Sequence, residues 1–192
     1  MRAVSTSTAM PPCGVGSARP NGLLACRRRA EVYWIVMAGN STITIRRARR
    51  DDVLVIVTML ADDPLGSARE RLEDPLPPSY FHAFEALAND PHIQLVVAED
   101  GAGAVVGCLQ LCILPGLSSQ GASRGLIEDV RVATHCRSRG IGERMVQWAI
   151  AEARARGCKL VELLTHNTRV DAQRFYARLG FQPSHVGMTL RF

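Results

Sequence analysis

The chain has 192 residues, 47% hydrophobic and 21% charged, with a formal net charge of +5. That length builds one core without metal or disulfide staples, and no apolar run reaches the roughly 20 residues needed to cross a bilayer. Arg2, Arg19, Arg27, Arg28 and Arg29 face Glu31 alone within residues 1–37, so most of the positive excess lies outside the body of the chain; a nucleic-acid partner needs a charged domain surface, and neither a nucleic-acid nor a membrane partner is expected.

Residues 1–37 hold Pro11-Pro12, scattered Gly, Ser and Thr, and an Arg triplet, without stable periodicity. They read as a disordered extension, or as the product of a start placed too far upstream, with Met37 as the true start. A targeting peptide is the other reading, since such segments are rich in Arg and Ser and poor in acids. Past Met37 the pattern becomes regular. Ile43–Arg49 alternates apolar and basic residues and predicts a strand. Asp51 and Asp52 open a helix whose apolar stripe is Val53, Ile56, Val57 and Leu60. Asp62–Pro78 predicts a connecting loop, and Pro78–Asn89 a second helix with Phe81, Phe84, Leu87 and Ala88 on its apolar side.

Gln94–Glu99 predicts a strand, Asp100 to Gly103 a tight turn, and Ala104–Leu114 the returning strand. Gly125–Ala133 is a fourth strand. Gly140–Arg156 is an amphipathic helix, with Ile141, Met145, Trp148, Ala149 and Ala153 on one side and Gly157 as its stop. Cys158–Thr165 is a fifth strand, Asp171–Leu179 a helix, and Val186–Phe192 a last strand. The order β-α-α-β-β-β-α-β-α-β predicts an α+β fold: a mixed sheet with helices on both faces.

Six cysteines form no C-x-x-C, and no Cys/His group has zinc-ligand spacing, so no metal is expected and reduced thiols of a cytoplasmic protein are the plain reading. Chemistry concentrates at the end of the fourth strand, where Arg137-x-x-Gly140-x-Gly142 leads into a helix. Glycines let the backbone approach a ligand, and the first helical turn offers unpaired N–H groups and a positive dipole end. Arg137 and Arg139 add charge. Residues 137–143 therefore read as a pyrophosphate cradle. Met145 stands where a dinucleotide fingerprint needs its third glycine, and no Gly-Lys-Ser/Thr follows.

Arg137-x-x-Gly140-Ile141-Gly142, preceded by Glu128-Asp-Val-Arg-Val132, resembles the acetyl-CoA-binding motif of GNAT N-acetyltransferases. Ala172-Gln-Arg-Phe-Tyr176-Ala-Arg-Leu-Gly180-Phe181 is similar to that family's closing helix. The resemblance covers residues 41–192 and implies the GNAT fold there, with acetyl-CoA as co-substrate. It implies that Val130, Arg131 and Val132 pair with the pantetheine arm. Arg137, Ser138, Arg139, Gly140, Ile141, Gly142 and Glu143 would hold the pyrophosphate. Where many relatives carry an Asn on the coenzyme, this chain has Arg169 with Asn167 nearby.

The same resemblance implies Tyr176 as general acid and Glu128 as general base. A phenol with a pKa near 10 suits proton return to a thiolate, and a carboxylate suits deprotonation of an ammonium. The plainer readings are a core tyrosine, and a sheet-edge carboxylate or partner for Arg131. Strand alternation puts Asp129 on the face opposite Glu128. His166 is a weaker candidate to assist. The implied reaction is acetyl transfer to a primary amine of a small-molecule acceptor, by a chain that is a homodimer in many relatives. Acetylation of a protein N-terminus or lysine, and non-catalytic acyl-CoA binding, are the alternatives.

Overall fold

The computed structural model describes residues 23–28, 31–38, 41–62 and 64–192. Its strands are β1 (Leu23–Arg28), β2 (Glu31–Ala38), β3 (Ser41–Arg47), β4 (Ile93–Glu99), β5 (Val105–Leu114), β6 (Arg124–Val132) and β7 (Leu160–Leu163). They lie in chain order in one sheet. Neighbours are antiparallel except β6 and β7, which run parallel. The helices are α1 (Val53–Ala61), α2 (Pro64–Ser67), α3 (Pro78–Asn89), α4 (Ser118–Gly121), α5 (Ile141–Ala155) and α6 (Val170–Arg178).

The predicted helices and strands from Ile43 to Leu179 form, with bounds shifted by up to two residues. Of the extension read over 1–37, residues 1–22, 29 and 30 lie outside the described residues. Sequence periodicity places no element before Ile43, yet β1 and β2 pair as a hairpin that continues onto β3. Glu31–Ala38 is rich in β-branched and aromatic residues, which suit a strand. Its apolar run is continuous instead of alternating, so it carries no period-2 signal.

The strand expected over Val186–Phe192 does not form, and Val186, Met188, Leu190 and Phe192 are exposed. The alternation is present in the sequence, but an alternating segment becomes a strand only on a sheet edge that accepts it. β7 is four residues long and, among the described residues, pairs only with β6.

Strand alternation divides the core between the two faces of the sheet. On one face Ile45, Val96, Leu109, Leu111 and Ile127 pack against Met145, Val146, Trp148 and Ala149 of α5. On the other, Val97 and Cys108 meet Ile56 and Met59 of α1. Val53, Val57 and Leu76 carry Phe81 and Phe84 of α3 at its rim.

One charged cluster is built into this frame where β3 leads into α1. Arg46 is 6% exposed and Asp52 7%. Arg46 donates through Nη1 and Nη2 to the two Asp52 carboxylate oxygens at 2.6 and 3.0 Å, and through Nε to Glu99 at 2.7 Å. Asp52 also accepts the Arg49 N–H at 2.7 Å. Burial pushes the Asp52 carboxyl up, but the Arg46 side chain and the Arg49 N–H together hold it below its ordinary 3.8. A depressed folded pKa gives stability that is present above the unfolded value and lost as pH falls through the folded one. Asp52→Ala leaves Arg46 short of a buried partner and is expected to cost about 3 kcal/mol at neutral pH. Denaturant unfolding should show that difference shrinking below about pH 4; a pH-independent loss would assign the effect to packing.

Candidate active site

β6 loses regular pairing on both sides near its end. β7 follows it only from Arg124↔Leu160 to Ile127↔Leu163. Beyond Ile127 the two strands part, and residues 128–132 present an open edge toward β7. On the other side, Gln110 faces Glu128 and Cys108 faces Arg131, so Asp129 and Val130 share the single opposite residue Leu109. This is a β-bulge. Asp129 takes its strain with φ of 50°, in the left-handed region.

The bulge resets the alternation for the residues that follow Asp129. An unbroken pleat would group Ile127 with Asp129 and Arg131. Instead Ile127, Val130 and Val132 pack toward α5, while Arg131 lies opposite Cys108, whose side chain belongs to the α1 face. Glu128 is on that α1 face too. Its carboxylate accepts from Gln110 Nε2 at 3.1 Å and from the Cys112 thiol at 3.7 Å. Gln110 and the Cys112 thiol thus hold the Glu128 carboxylate on that face.

The register also fixes the backbone directions. Ala133 N–H donates to Val106 O at 2.9 Å, so the main-chain groups of Ala133 and Arg131 point to β5. Those of Val130 and Val132 point to the open edge, because directions alternate along a strand. Two arginines cap that edge: Arg131 Nη1 donates to Val130 O at 3.0 Å and Arg137 Nε to Val132 O at 3.3 Å. The N–H of Val130 faces the opening.

The chain then makes a 3-10 turn, Thr134–Cys136, and enters α5. Ser138 and Gly140 are left-handed, with φ of 63° and 76°. Gly140 caps the helix: its carbonyl accepts the Arg144 N–H at 3.1 Å. The N–H groups of Ile141, Gly142 and Glu143 precede the first intrahelical bond, so the positive end of a 15-residue helix is open. A Cβ built on Gly140 would meet no atom within 4 Å, whereas one on Gly142 would touch Val132 and Phe175 at 3.5 and 3.6 Å. Gly140 is therefore demanded by its φ, and the space before it is free. Gly142 keeps β6, α5 and α6 in contact.

Not every basic residue of the motif has a free charge. Arg137 Nη2 lies 3.1 Å from the Asp62 carboxylate, at the end of α1. Thr134 Oγ1 donates to the same Asp62 oxygen. Arg139 is exposed.

Tyr176 sits on α6, half-buried between Phe175 and Phe181, with ring centroids at 5.0 and 5.8 Å. Burial raises the phenol pKa, while the charges of Arg131 and Arg169 pull it down less strongly. The net rise keeps Tyr176 protonated and able to donate. Arg169 is thus near Tyr176, at the start of α6. Asn167 is exposed, with its carbonyl accepting from Gln173 Nε2 at 3.0 Å. His166 is exposed and bonded to Thr168 at 2.8 Å.

Glu128 and Tyr176 therefore flank the opening from opposite faces of the sheet, the Val130 N–H lies between them in sequence, and residues 138–143 close its end. Sequence reasoning missed Gln110 and Asp62. Gln110 carries a signal, a lone amide in an otherwise apolar strand. Asp62 carries none, because its partner lies 75 residues away. Among the described residues no group of three His, Cys, Asp or Glu is placed to hold a metal, and no helix is long and apolar enough to cross a membrane.

A sheet opened between parallel strands, with an anion-ready helix terminus at the opening, is the architecture of an acyltransferase. The chain belongs to the acetyltransferase (GNAT) family, whose model matches residues 57–181. It is 32% identical to an aminoalkylphosphonate N-acetyltransferase of Salmonella typhimurium over 148 residues, 73% of this chain and 95% of that one. It is 33% identical to glucosamine 6-phosphate N-acetyltransferase 1 of Oryza sativa over 112 residues, 58% of this chain and 66% of the relative. Among solved structures, a protein described as a transcriptional regulator of Bacillus halodurans superposes with a TM-score of 0.76 at 47% identity, covering 78% of this chain and 99% of that one.

The left-handed cap gives a direct test. Gly140→Val places a β-branched side chain at a positive φ, which costs about 1–2 kcal/mol, and fills the space before the helix. Calorimetry with coenzyme A should show affinity at least about tenfold weaker, which is about 1.4 kcal/mol. Gly140→Asn, which tolerates the left-handed region, should retain the parent's melting temperature and lose less affinity. Parent-like affinity in a folded Gly140→Val protein would remove the cradle.

Proposed function

We propose that residues 41–192 form a domain that moves an acetyl group from acetyl-CoA to the primary amine of a small-molecule acceptor by direct attack. The observation that carries this reading is the open edge of β6, which runs from Glu128 past the Val130 N–H to the unpaired amides of α5. A coenzyme arm can lie along that edge as an added strand, with its pyrophosphate on the helix terminus.

The residues then take these parts. Val130 and Val132 pair with the arm through their main chains, beside Arg131. Ser138 to Glu143 bind the pyrophosphate, with Arg137 and Arg139 adding positive charge. Glu128, steadied by Gln110, takes a proton from the acceptor ammonium directly or through water. The neutral nitrogen forms a bond to the thioester carbonyl carbon and releases its second surplus proton to solvent as the amide forms. The Val130 N–H meets the negative charge that gathers on the carbonyl oxygen. As the carbon–sulfur bond breaks, Tyr176 gives its hydroxyl proton to the departing sulfur and recovers one from solvent. Arg131 and Arg169 favour the transient phenolate.

Both named relatives are described by acceptors that pair an amine with a phosphorus oxyanion, which supports a small-molecule amine. The test is an acceptor screen that reads free thiol released from acetyl-CoA, with aminoalkylphosphonates and amino-sugar phosphates beside amino acids, polyamines, aminoglycosides and peptide amines. On the best acceptor, Tyr176→Phe and Glu128→Gln should each lower kcat by about 10²-fold or more. Tyr176 acts protonated, so kcat should fall as pH rises through its raised pKa, and Tyr176→Phe should lack that alkaline limb. Parent-like rates in both variants would end the assigned roles. Turnover confined to peptide amines would move the acceptor class to protein.

A further inference from the structure

We propose that Asp62 is a positioning residue that holds the coenzyme loop in its binding geometry through Arg137 and Thr134. The inference rests on the acetyl-transfer reading and adds to it a residue from outside the coenzyme motif. Three segments meet at this carboxylate. Asp62 follows directly on α1 and opens the stretch 62–78 that leads to α3. Thr134 begins the turn after β6, and Arg137 the run into α5.

The contacts form one chain. Asp62 Oδ2 accepts the Thr134 hydroxyl and lies 3.1 Å from Arg137 Nη2. The Asp62 carbonyl accepts a second, longer bond from the same nitrogen at 3.4 Å. Arg137 Nε reaches back to Val132 O at 3.3 Å. The guanidinium is thereby stretched between the last residue of the open edge and the end of α1. Thr134 and Arg137 bracket the 3-10 turn, so fixing both fixes the path of the chain into Ser138 and Gly140. Those two residues are left-handed, and their directions decide where the following N–H groups aim. A planar, multi-donor arginine suits this role better than a single-point cation does.

The same tie couples the end of α1 to the coenzyme loop. Both Asp62 and Arg137 are about half exposed, at 47% and 51% of their side chains. The link is therefore modest, and it acts on geometry more than on global stability.

Calorimetry with coenzyme A and steady-state acetyl transfer test this together. Asp62→Ala should weaken coenzyme A binding about three- to tenfold and raise the acetyl-CoA KM alike, with kcat at saturation within about twofold of the parent. Arg137→Ala should show a loss at least as large. Adding Asp62→Ala to Arg137→Ala should change affinity less than about twofold, because the two residues share one interaction. Asp62→Asn, which keeps an acceptor for Thr134, should fall between parent and Asp62→Ala; it also serves as the readable variant if Asp62→Ala melts early. Parent-like affinity in both Asp62 variants would overturn the inference, as would losses that multiply in the double variant, while leaving acetyl transfer standing. A parent chain that binds no coenzyme A would overturn both.

Discussion

The site depends on one departure from regular sheet geometry, the loss of pairing at the end of β6. A strand in mid-sheet has every main-chain group committed to its neighbours. β6 is such a strand up to Ile127. Beyond that, β7 has parted and the bulge at Asp129 resets the phase. The reset lets Val130 and Val132 keep their side chains in the α5 core while their main-chain groups face the opening. It also turns Arg131 to the α1 face that Glu128 already occupies. In an unbroken pleat through the same residues, Val130 and Val132 would trade sides with Arg131.

An opening in a sheet needs a stiff frame, and burial supplies it. The side chains behind the site, Leu109, Met145, Val146 and Trp148, are at most 2% exposed. They fix α5 on the sheet, and so fix where its N-terminus points. Close contact adds to this: a Cβ on Gly125 would meet Ala153 at 3.0 Å, and one on Gly107 would meet the Met145 sulfur at 2.8 Å. Interiors packed this tightly transmit displacement instead of absorbing it. The helix terminus, the β6 edge and the Tyr176 ring thus hold fixed relations while the loops around them carry the polar groups.

How much of this was legible depended on whether each signal was local. Helical and strand periodicity placed α1, α3, α5 and α6 and the sheet from β3 to β7. The glycine spacing placed the helix terminus, while Glu128 and Tyr176 came forward only through the family resemblance. The bulge was invisible, because nothing in Glu128-Asp129-Val130 distinguishes a bulged pleat from a regular one. The strand expected over Val186–Phe192 shows the converse: alternation states what a segment can pair with, not whether an edge will take it. Gln110 was overlooked because an amide in an apolar strand reads as noise until its partner is across the ladder. Asp62 became visible only once α1 was packed on the sheet.

The two ends of α1 show how the same ion-pair chemistry serves two purposes. Its N-terminal end is pinned by Arg46, Asp52 and Glu99, with Arg46 and Asp52 sealed from water. Removing either partner there strands a charge in a medium that cannot solvate it, so the pair behaves as a permanent part of the frame. The other end is tied by Asp62 and Arg137 where water has access to both. There the Coulomb attraction is screened and each partner can be resolvated. An incoming anion can therefore share the Arg137 guanidinium without a large desolvation penalty, while the sealed cluster at the far end keeps the helix in place. Burial, more than the identity of the paired residues, decides which end is fixed and which is free to answer a ligand.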